Sequence, residues 1–377
     1  MSSYNYTILH VWEIPIRINI SLLVFLPVLA FLIGSGEQIG AYSTLITRLT
    51  PVAVDPAALS GPTDRWVIGT ISAVALFGSV TFHELGHAWA AMRYDIEVES
   101  ITLWLLGGLA SLSSMPEEWN REFWIAIAGP VSSLLLAAGG LGALLAVPSS
   151  ATLVLYCLGF LAVMNVFLAA FNMLPAFPMD GGRVLRALLA RNRSYVSATR
   201  TAASVGTVFA LLFLGAGIYT FSPLLLILAL FIYTAASSES RSVVIAGLLA
   251  GLTVADLINE QEPLRADTTV EAALDRLFAS RRSELPVVDD GDIVGVVTTE
   301  QLRSIPTDAF GTTAVGSVTT TDLARIDGRM AAVDGLYELA ESDAPVALVE
   351  VDGEPIGLIS RADFASALNM RRETEPF

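Results

Sequence analysis

Long apolar runs broken by short polar joints fill the first two thirds of the chain, and the pattern changes near residue 250. The runs near 18–34, 66–92, 123–147, 151–173, 200–220 and 222–238 each approach the roughly 20 residues that carry a helix across a hydrocarbon core. They predict an α-helical polytopic membrane domain of about six transmembrane helices over 1–245. Beyond it, apolar positions recur in short segments at helical and strand periods, which predicts a soluble α/β region over 246–377.

The tail reads as an internal repeat of roughly 60 residues, with units near 252–305 and 312–370 and "LRSIPTDAFGT" between them. Each unit gives a short lead, an amphipathic helix, two β-rich runs joined at Asp290-Gly291 or Asp352-Gly353, and a final helix. Composition agrees with the division. With 54% hydrophobic and 15% charged residues and a mean hydropathy of +0.63, the chain is a membrane protein. Of its net charge of -16, residues 252–377 carry -14, from 24 Asp/Glu against 10 Arg.

All 21 basic residues are Arg. An acidic surface without clustered positive charge excludes nucleic acid as a partner. The hypothesis that fits is a prokaryotic, salt-adapted host; G+C-driven codon usage explains the Arg bias equally well. Orientation follows from the arginines of the membrane part. A cytoplasmic amino terminus puts nine of them inside, against Arg48 and Arg65 outside, so the tail is expected in the cytoplasm and the protein in the cell membrane. Trp66, Trp89, Trp119 and Trp124 fall near span ends, as an aromatic belt or simple packing would place them. The amino terminus lacks a basic start and small-residue cleavage site, so the first run is expected to be a retained span. Cys157 is the single cysteine, and no internal disulfide framework exists.

Chemistry enters at "TFHELGHAWAAM", residues 81–92. On a helix, positions i and i+4 share a face, so His83 and His87 can offer two imidazoles to one ion. Glu84 sits about 100° around from His83, placed to take a proton from an attacking water without being a ligand. This is the H-E-x-x-H pattern of zinc peptidases. Polar groups within a span cost a few kcal/mol each unless they face a cavity or a partner, which makes them functional by default.

A catalytic zinc site takes three protein ligands, and Asp180 is the one well-placed acid in the other spans. It stands in "NVFLAAFNMLPAFPMDGGRVLRAL", where Pro175 and Pro178 break the helix. Backbone freed at membrane depth lines a cavity or is buried in protein. Asp180 also fits a plain helix N-cap; beside HELGH the ligand reading takes precedence. Asn172 could hold a substrate carbonyl or oxyanion, or make an interhelical hydrogen bond, and Asn165 reads as structural. Between the second and third spans, "ITLWLLGGLASLSSMPEE" suggests a hairpin dipping into the membrane, whose strand could pair with an unwound substrate; an ordinary interfacial loop fits as well.

HELGH, GGLASL and FNMLPAFPMDGGR, in that order, resemble the site-2 protease family of intramembrane zinc metalloproteases, in the branch carrying a pair of cystathionine-β-synthase-type (CBS) domains. The resemblance implies one Zn2+ on His83, His87 and Asp180, with Glu84 as general base and acid and Asn172 positioning substrate or the oxyanion. It implies substrates that are membrane-embedded helices of tethered regulators, often cut after another protease has acted. The tail's resemblance implies an adenine nucleotide site and a homodimer through the CBS domains. Ser360 and Asp363 match that family's ribose-binding positions; the first repeat keeps Thr298 but has Gln301 where Asp is usual. Ligand regulation and a structural or dimerising role both fit the pair. Two rivals stand beside this reading. A CBS-regulated membrane protein or pseudoprotease without activity would have no need of Glu84. A prenyl-protein-processing peptidase would take its third ligand from a Glu on a later helix.

Overall fold

The computed structural model describes residues 5–105, 107–113, 116–258, 262–280, 282, 284–321, 323–342 and 344–374, apart from the Pro62 and Thr374 side chains. The chain divides into two compact units, 1–240 and 241–377, where the sequence pattern placed the change at 245. A helical membrane-type domain followed by a pair of small α/β repeats is the observed fold class.

The first unit begins with a hairpin that the hydropathy pattern did not predict. Strands β1 (Asn5–Val11) and β2 (Ile14–Asn19) pair antiparallel, and β1 is largely exposed, so it lacks the alternation that marks a half-buried strand. Asn19 ends β2 and caps the next helix, accepting from Ser21 N–H at 2.9 Å. The first expected span proves to be a bent pair, α1 (Ile20–Ile33) and α2 (Gly36–Leu49), turned 74° at Gly34–Ser35. The amphipathic α2 lays Ile39 and Ile46 onto the core, and Tyr42 meets Phe160 edge-on at 5.1 Å.

Helix α3 (Pro62–Met92) is 31 residues long and starts with proline at its first turn, where no N–H is needed. Then come β3 (Val98–Trp104) and β4 (Gly107–Leu112), an antiparallel hairpin rather than an irregular loop. β3 also runs parallel to β2, giving a four-stranded sheet in the order β1-β2-β3-β4. Helices α4 (Trp119–Leu144), α5 (Thr152–Asn172), α6 (Asp180–Ala190), α7 (Tyr195–Tyr219) and α8 (Pro223–Leu249) follow. Among the described residues five helices (α3, α4, α5, α7, α8) are long and apolar enough to cross a membrane, and the bent pair raises the number to six. The helix α8 outruns its apolar stretch by about three turns, because "SSESRS" contains no proline to stop it.

In the second unit each repeat has the order expected. The first is β5 (Leu264–Arg265), α9 (Val270–Ser280), β6 (Glu284–Asp289), β7 (Asp292–Thr298) and α10 (Thr299–Arg303). The second is β8 (Ala324–Asp327), α11 (Ala332–Glu341), β9 (Val346–Val351), β10 (Glu354–Ser360) and α12 (Arg361–Thr374). Each builds a three-stranded sheet from one parallel and one antiparallel pair. Both hairpin turns have positive φ at their two central residues, 50° and 99° at Asp290-Gly291 and 55° and 83° at Asp352-Gly353, as a two-residue type I′ turn requires.

Candidate metal centre

The helical spacing in α3 puts His83 and His87 side by side, 3% and 6% exposed, with their rings edge-on at 4.9 Å. Asp180 comes from the other side of the cluster. It is the first residue of α6, one position inside the N-cap residue Met179. Its carboxylate lies 3.0 Å from His83 Nε2 and 3.2 Å from His87 Nε2, and the two Nε2 atoms are 3.2 Å apart. The N-cap alternative for Asp180 is therefore overturned: the two prolines end α5 so that α6 starts with this carboxylate aimed at the imidazoles.

Outer hydrogen bonds occupy Nδ1 of both rings, so Nε2 is the nitrogen that each turns inward. A carbonyl can only accept, so His87 Nδ1–H donates to Ile125 O at 2.7 Å and the neutral ring leaves its Nε2 lone pair on the cluster. His83 Nδ1 has Ser133 Oγ at 2.9 Å. Two imidazole nitrogens and one carboxylate thus converge. A tetrahedral ion with bonds of about 2.0–2.1 Å spaces its ligands by about 3.3 Å, so the donor set and its separations fit Zn2+. His83, His87 and Asp180 are also the group among the described residues whose ligand atoms could hold a metal.

Around the cluster is a cavity of about 120 Å³, lined also by Glu84, Asn172, Arg183 and residues of β4. Glu84 is half-buried and runs under the β4 backbone; a Cβ on Gly108 would meet its Cγ at 2.5 Å. Asn172 donates from Nδ2 to Leu168 O at 3.1 Å, which leaves its second amide hydrogen and its Oδ1 for the cavity. Asn165 lies apart from the cluster, fully buried, donating to Ser79 Oγ at 2.9 Å and tying α5 to α3.

Several contributors were not singled out in the sequence. Gly129 of α4 stands where a Cβ would overlap His87 Nε2 and come within 2.7 Å of His83 Nε2, so only glycine leaves room for both rings. Ser133 and the Ile125 carbonyl hold the outer nitrogens, and Arg183 adds a cation to the cavity wall. The signal was "AGPVSS", a Gly-Pro pair with hydroxyls in mid-span.

In the second unit, Asp363 accepts from Ser360 N–H at 3.0 Å and from Ser360 Oγ at 2.9 Å, with Arg282 at 3.5 Å. Gln301 imitates the backbone part of that arrangement: its Oε1 accepts from Thr298 N–H at 2.7 Å, while Thr298 Oγ accepts from Gln301 N–H, a capping box. The amide nitrogen of Gln301 donates to Thr320. The first repeat therefore keeps the helix cap and lacks the charge.

Apolar helices that bring H-E-x-x-H and an aspartate from another segment into one cavity define a membrane-embedded metallopeptidase scaffold. Comparison with known proteins agrees: the profile of peptidase family M50 matches residues 71–155 and 146–214, and that of the CBS domain matches 254–308. The putative zinc metalloprotease Rip3 of Mycobacterium tuberculosis is 34% identical over 329 residues, covering 82% of this chain and 83% of that protein. Zinc metalloprotease MJ0392 of Methanocaldococcus jannaschii is 34% identical over 232 residues, 59% of this chain and 66% of its own. Among solved structures, a site-2 protease from Methanocaldococcus jannaschii is 30% identical, with a TM-score of 0.42 over 63% of this chain and 96% of that one. The chain belongs to peptidase family M50, the site-2 protease family of zinc metalloproteases, and carries a CBS domain.

Proposed function

We propose that the protein is an intramembrane zinc endopeptidase that hydrolyses peptide bonds within or near the transmembrane helices of membrane-tethered substrates. The observation that carries this reading is the single small cavity lined by His83, His87, Asp180, Glu84 and Asn172 together with β4. His83, His87 and Asp180 are the ligands. When bound there, Zn2+ supplies Lewis acidity, polarising the scissile carbonyl and bringing a water's pKa toward neutrality. Glu84 takes the proton from the attacking water and later delivers it to the leaving amine. The free amide hydrogen of Asn172 donates to the carbonyl oxygen as negative charge builds on it.

β4 is the last strand of its sheet, so its outer edge is open to an extended segment, and Gly108, Leu109 and Ala110 of that strand line the cavity. Helical substrate carbonyls are already hydrogen-bonded, so the substrate unwinds locally and pairs with β4 before attack. Helix-weakening residues near the cut therefore speed cleavage. By the arginine distribution, the amino terminus and the CBS tail are cytoplasmic. The tail acts as a regulatory pair, taking an adenine nucleotide at Ser360 and Asp363 with Thr298 on the first repeat and supporting a homodimer.

The test is metal content together with cleavage of a model transmembrane helix in detergent, for the wild type and Glu84→Ala. About one zinc per chain in both proteins, with cleavage in the wild type alone, supports the proposal. Absence of metal in the wild type overturns it. For the tail, calorimetry with ATP and AMP on the full chain should give binding that Asp363→Asn weakens; equal affinity in that variant removes Asp363 from the site.

A further inference from the structure

A second, larger cavity lies along α3, the helix that carries the two histidines, on the side that faces away from them. It is a groove of about 790 Å³ between α3 and α4, and it shares no lining residue with the cavity around His83 and Asp180. Its walls are apolar for most of their length, from Trp124 to Leu135 along α4. Eleven residues of helix rise about 16 Å, which is close to the roughly 15 Å depth of one hydrocarbon leaflet.

One end of the groove differs in kind. There the carboxyl end of α3 supplies Trp89, Arg93 and Tyr94, the amino end of α4 supplies Trp124, and the β1–β2 turn supplies Trp12. Trp12, Trp89 and Trp124 are 55%, 49% and 56% exposed, so their rings stand in the groove mouth instead of packing in the core. Trp and Tyr collect at the headgroup level of a bilayer. Arg93 is exposed, its guanidinium stacked 4.8 Å above the Trp89 ring, and it forms no ion pair among the described residues. The turn is unusual as well. Trp12 and Glu13 both have positive φ, 53° and 68°, a region that bulky side chains rarely adopt, and this conformation sets the Trp12 indole at the mouth.

We propose that this groove binds one anionic phospholipid, its acyl chain along the α3–α4 cleft and its phosphate at Arg93 within the ring of Trp12, Trp89 and Trp124. The charge of Arg93 selects the headgroup, as basic pockets between membrane helices do, and the leaflet-length apolar cleft selects a chain. The site is independent of the peptidase reading, since it needs only the membrane position of the two helices.

Native mass spectrometry of the delipidated full chain in detergent tests this, with dioleoyl phosphatidylglycerol and dioleoyl phosphatidylcholine as probes. The expected result is a single phosphatidylglycerol adduct retained about ten-fold more strongly than phosphatidylcholine. Arg93→Gln should bring the two lipids level. Val131→Trp, which fills an already exposed position of the groove wall, should remove both adducts, with helical content by circular dichroism confirming that each variant folds. Equal retention of the two lipids by the wild type overturns the proposal, as does an undiminished preference in Arg93→Gln. A Val131→Trp protein that keeps its lipid but shows a raised KM for a model helix also overturns it, and makes the groove a docking face for substrate.

Discussion

His83, His87 and Asp180 meet in the unit of residues 1–240, and six residues further along α6 so do Glu122, Arg186 and Glu239. Both groups are ionisable and deeply placed, yet they are built on opposite plans. The first gathers two imidazole Nε2 atoms 3.2 Å apart and one carboxylate, whose oxygens lie 3.0 Å from His83 Nε2 and 3.2 Å from His87 Nε2, with the outer ring nitrogens held by Ser133 and the Ile125 carbonyl. The second contains its own cation. Arg186 is fully buried, with Glu122 Oε1 at 2.7 Å from Nε and Glu239 Oε1 at 2.5 Å from Nη1, and the rings of Phe177 and Tyr195 lie 5.0 and 4.8 Å from its guanidinium carbon. A buried carboxylate beside a buried guanidinium has its counter-charge within the chain. A carboxylate turned on two imidazoles fits a cation supplied from outside.

The sharpest way to break this comparison is at Gly129. An alanine there would put a Cβ on His87 Nε2 and 2.7 Å from His83 Nε2, so at least one imidazole must leave the cluster. Metal content of Gly129→Ala should fall from about one per chain toward zero, with cleavage at background and helical circular dichroism unchanged. A full equivalent of zinc in this variant would place the metal elsewhere. Next in size is Glu84→Gln, which removes a proton carrier and no ligand. It should keep its metal and lose roughly 10²- to 10⁴-fold in cleavage rate, the usual range for a general base.

Legibility differed between the two clusters for physical reasons. The i, i+4 histidines are a local pattern, so the helix alone dictates that they share a face. Asp180 could be read because prolines and glycines around it announced a break in an apolar run. Gly129 and Ser133 are marked only by the mid-span "AGPVSS": what they do depends on how closely α4 approaches α3, which no local pattern reports. Glu122 and Arg186 are 64 residues apart and join only in the fold. On the larger scale, hydropathy located the long helices, because burial in lipid demands continuous apolar length. It missed the β1–β2 hairpin, which is mostly exposed, and the bend after α1, since α2 is amphipathic and reads as polar. The helix α8 was read too short because a hydropathy window ends where apolar residues end, whereas a helix ends where its backbone is broken.

The third test is aimed at the cluster around Arg186. Arg186→Met keeps most of the side-chain volume and leaves Glu122, 4% exposed, without its partner. Breaking a buried pair in this one-sided way costs about 3–5 kcal/mol, and it should appear as a lower thermal midpoint in detergent. Metal per folded chain should stay near one. If Arg186→Met folds with an unchanged midpoint but loses zinc, Arg186 serves the metal site and the division into two plans fails.

The smallest effect separates holding a ligand from being one. Ser133 touches no ion; its Oγ lies against His83 Nδ1 at 2.9 Å, on the far side of the ring from the cluster. If Nε2 is to present its lone pair inward, Nδ1 carries the proton and Ser133 accepts it, fixing both tautomer and ring angle. Partners of this outer kind are usually worth 10- to 100-fold in metal affinity. Ser133→Ala should therefore bind zinc at the wild-type stoichiometry but surrender it to a competing chelator at a correspondingly lower concentration, with Ser133→Thr restoring most of the difference. His87 offers the contrast. Its outer partner is the Ile125 backbone carbonyl, which substitution of a side chain leaves in place, so the Ile125→Val protein should hold its metal as the wild type does. Should Ser133→Ala and Ile125→Val prove equal in a chelator titration, the Ser133 hydroxyl is a packing neighbour of His83 and the ring is held by α3 alone.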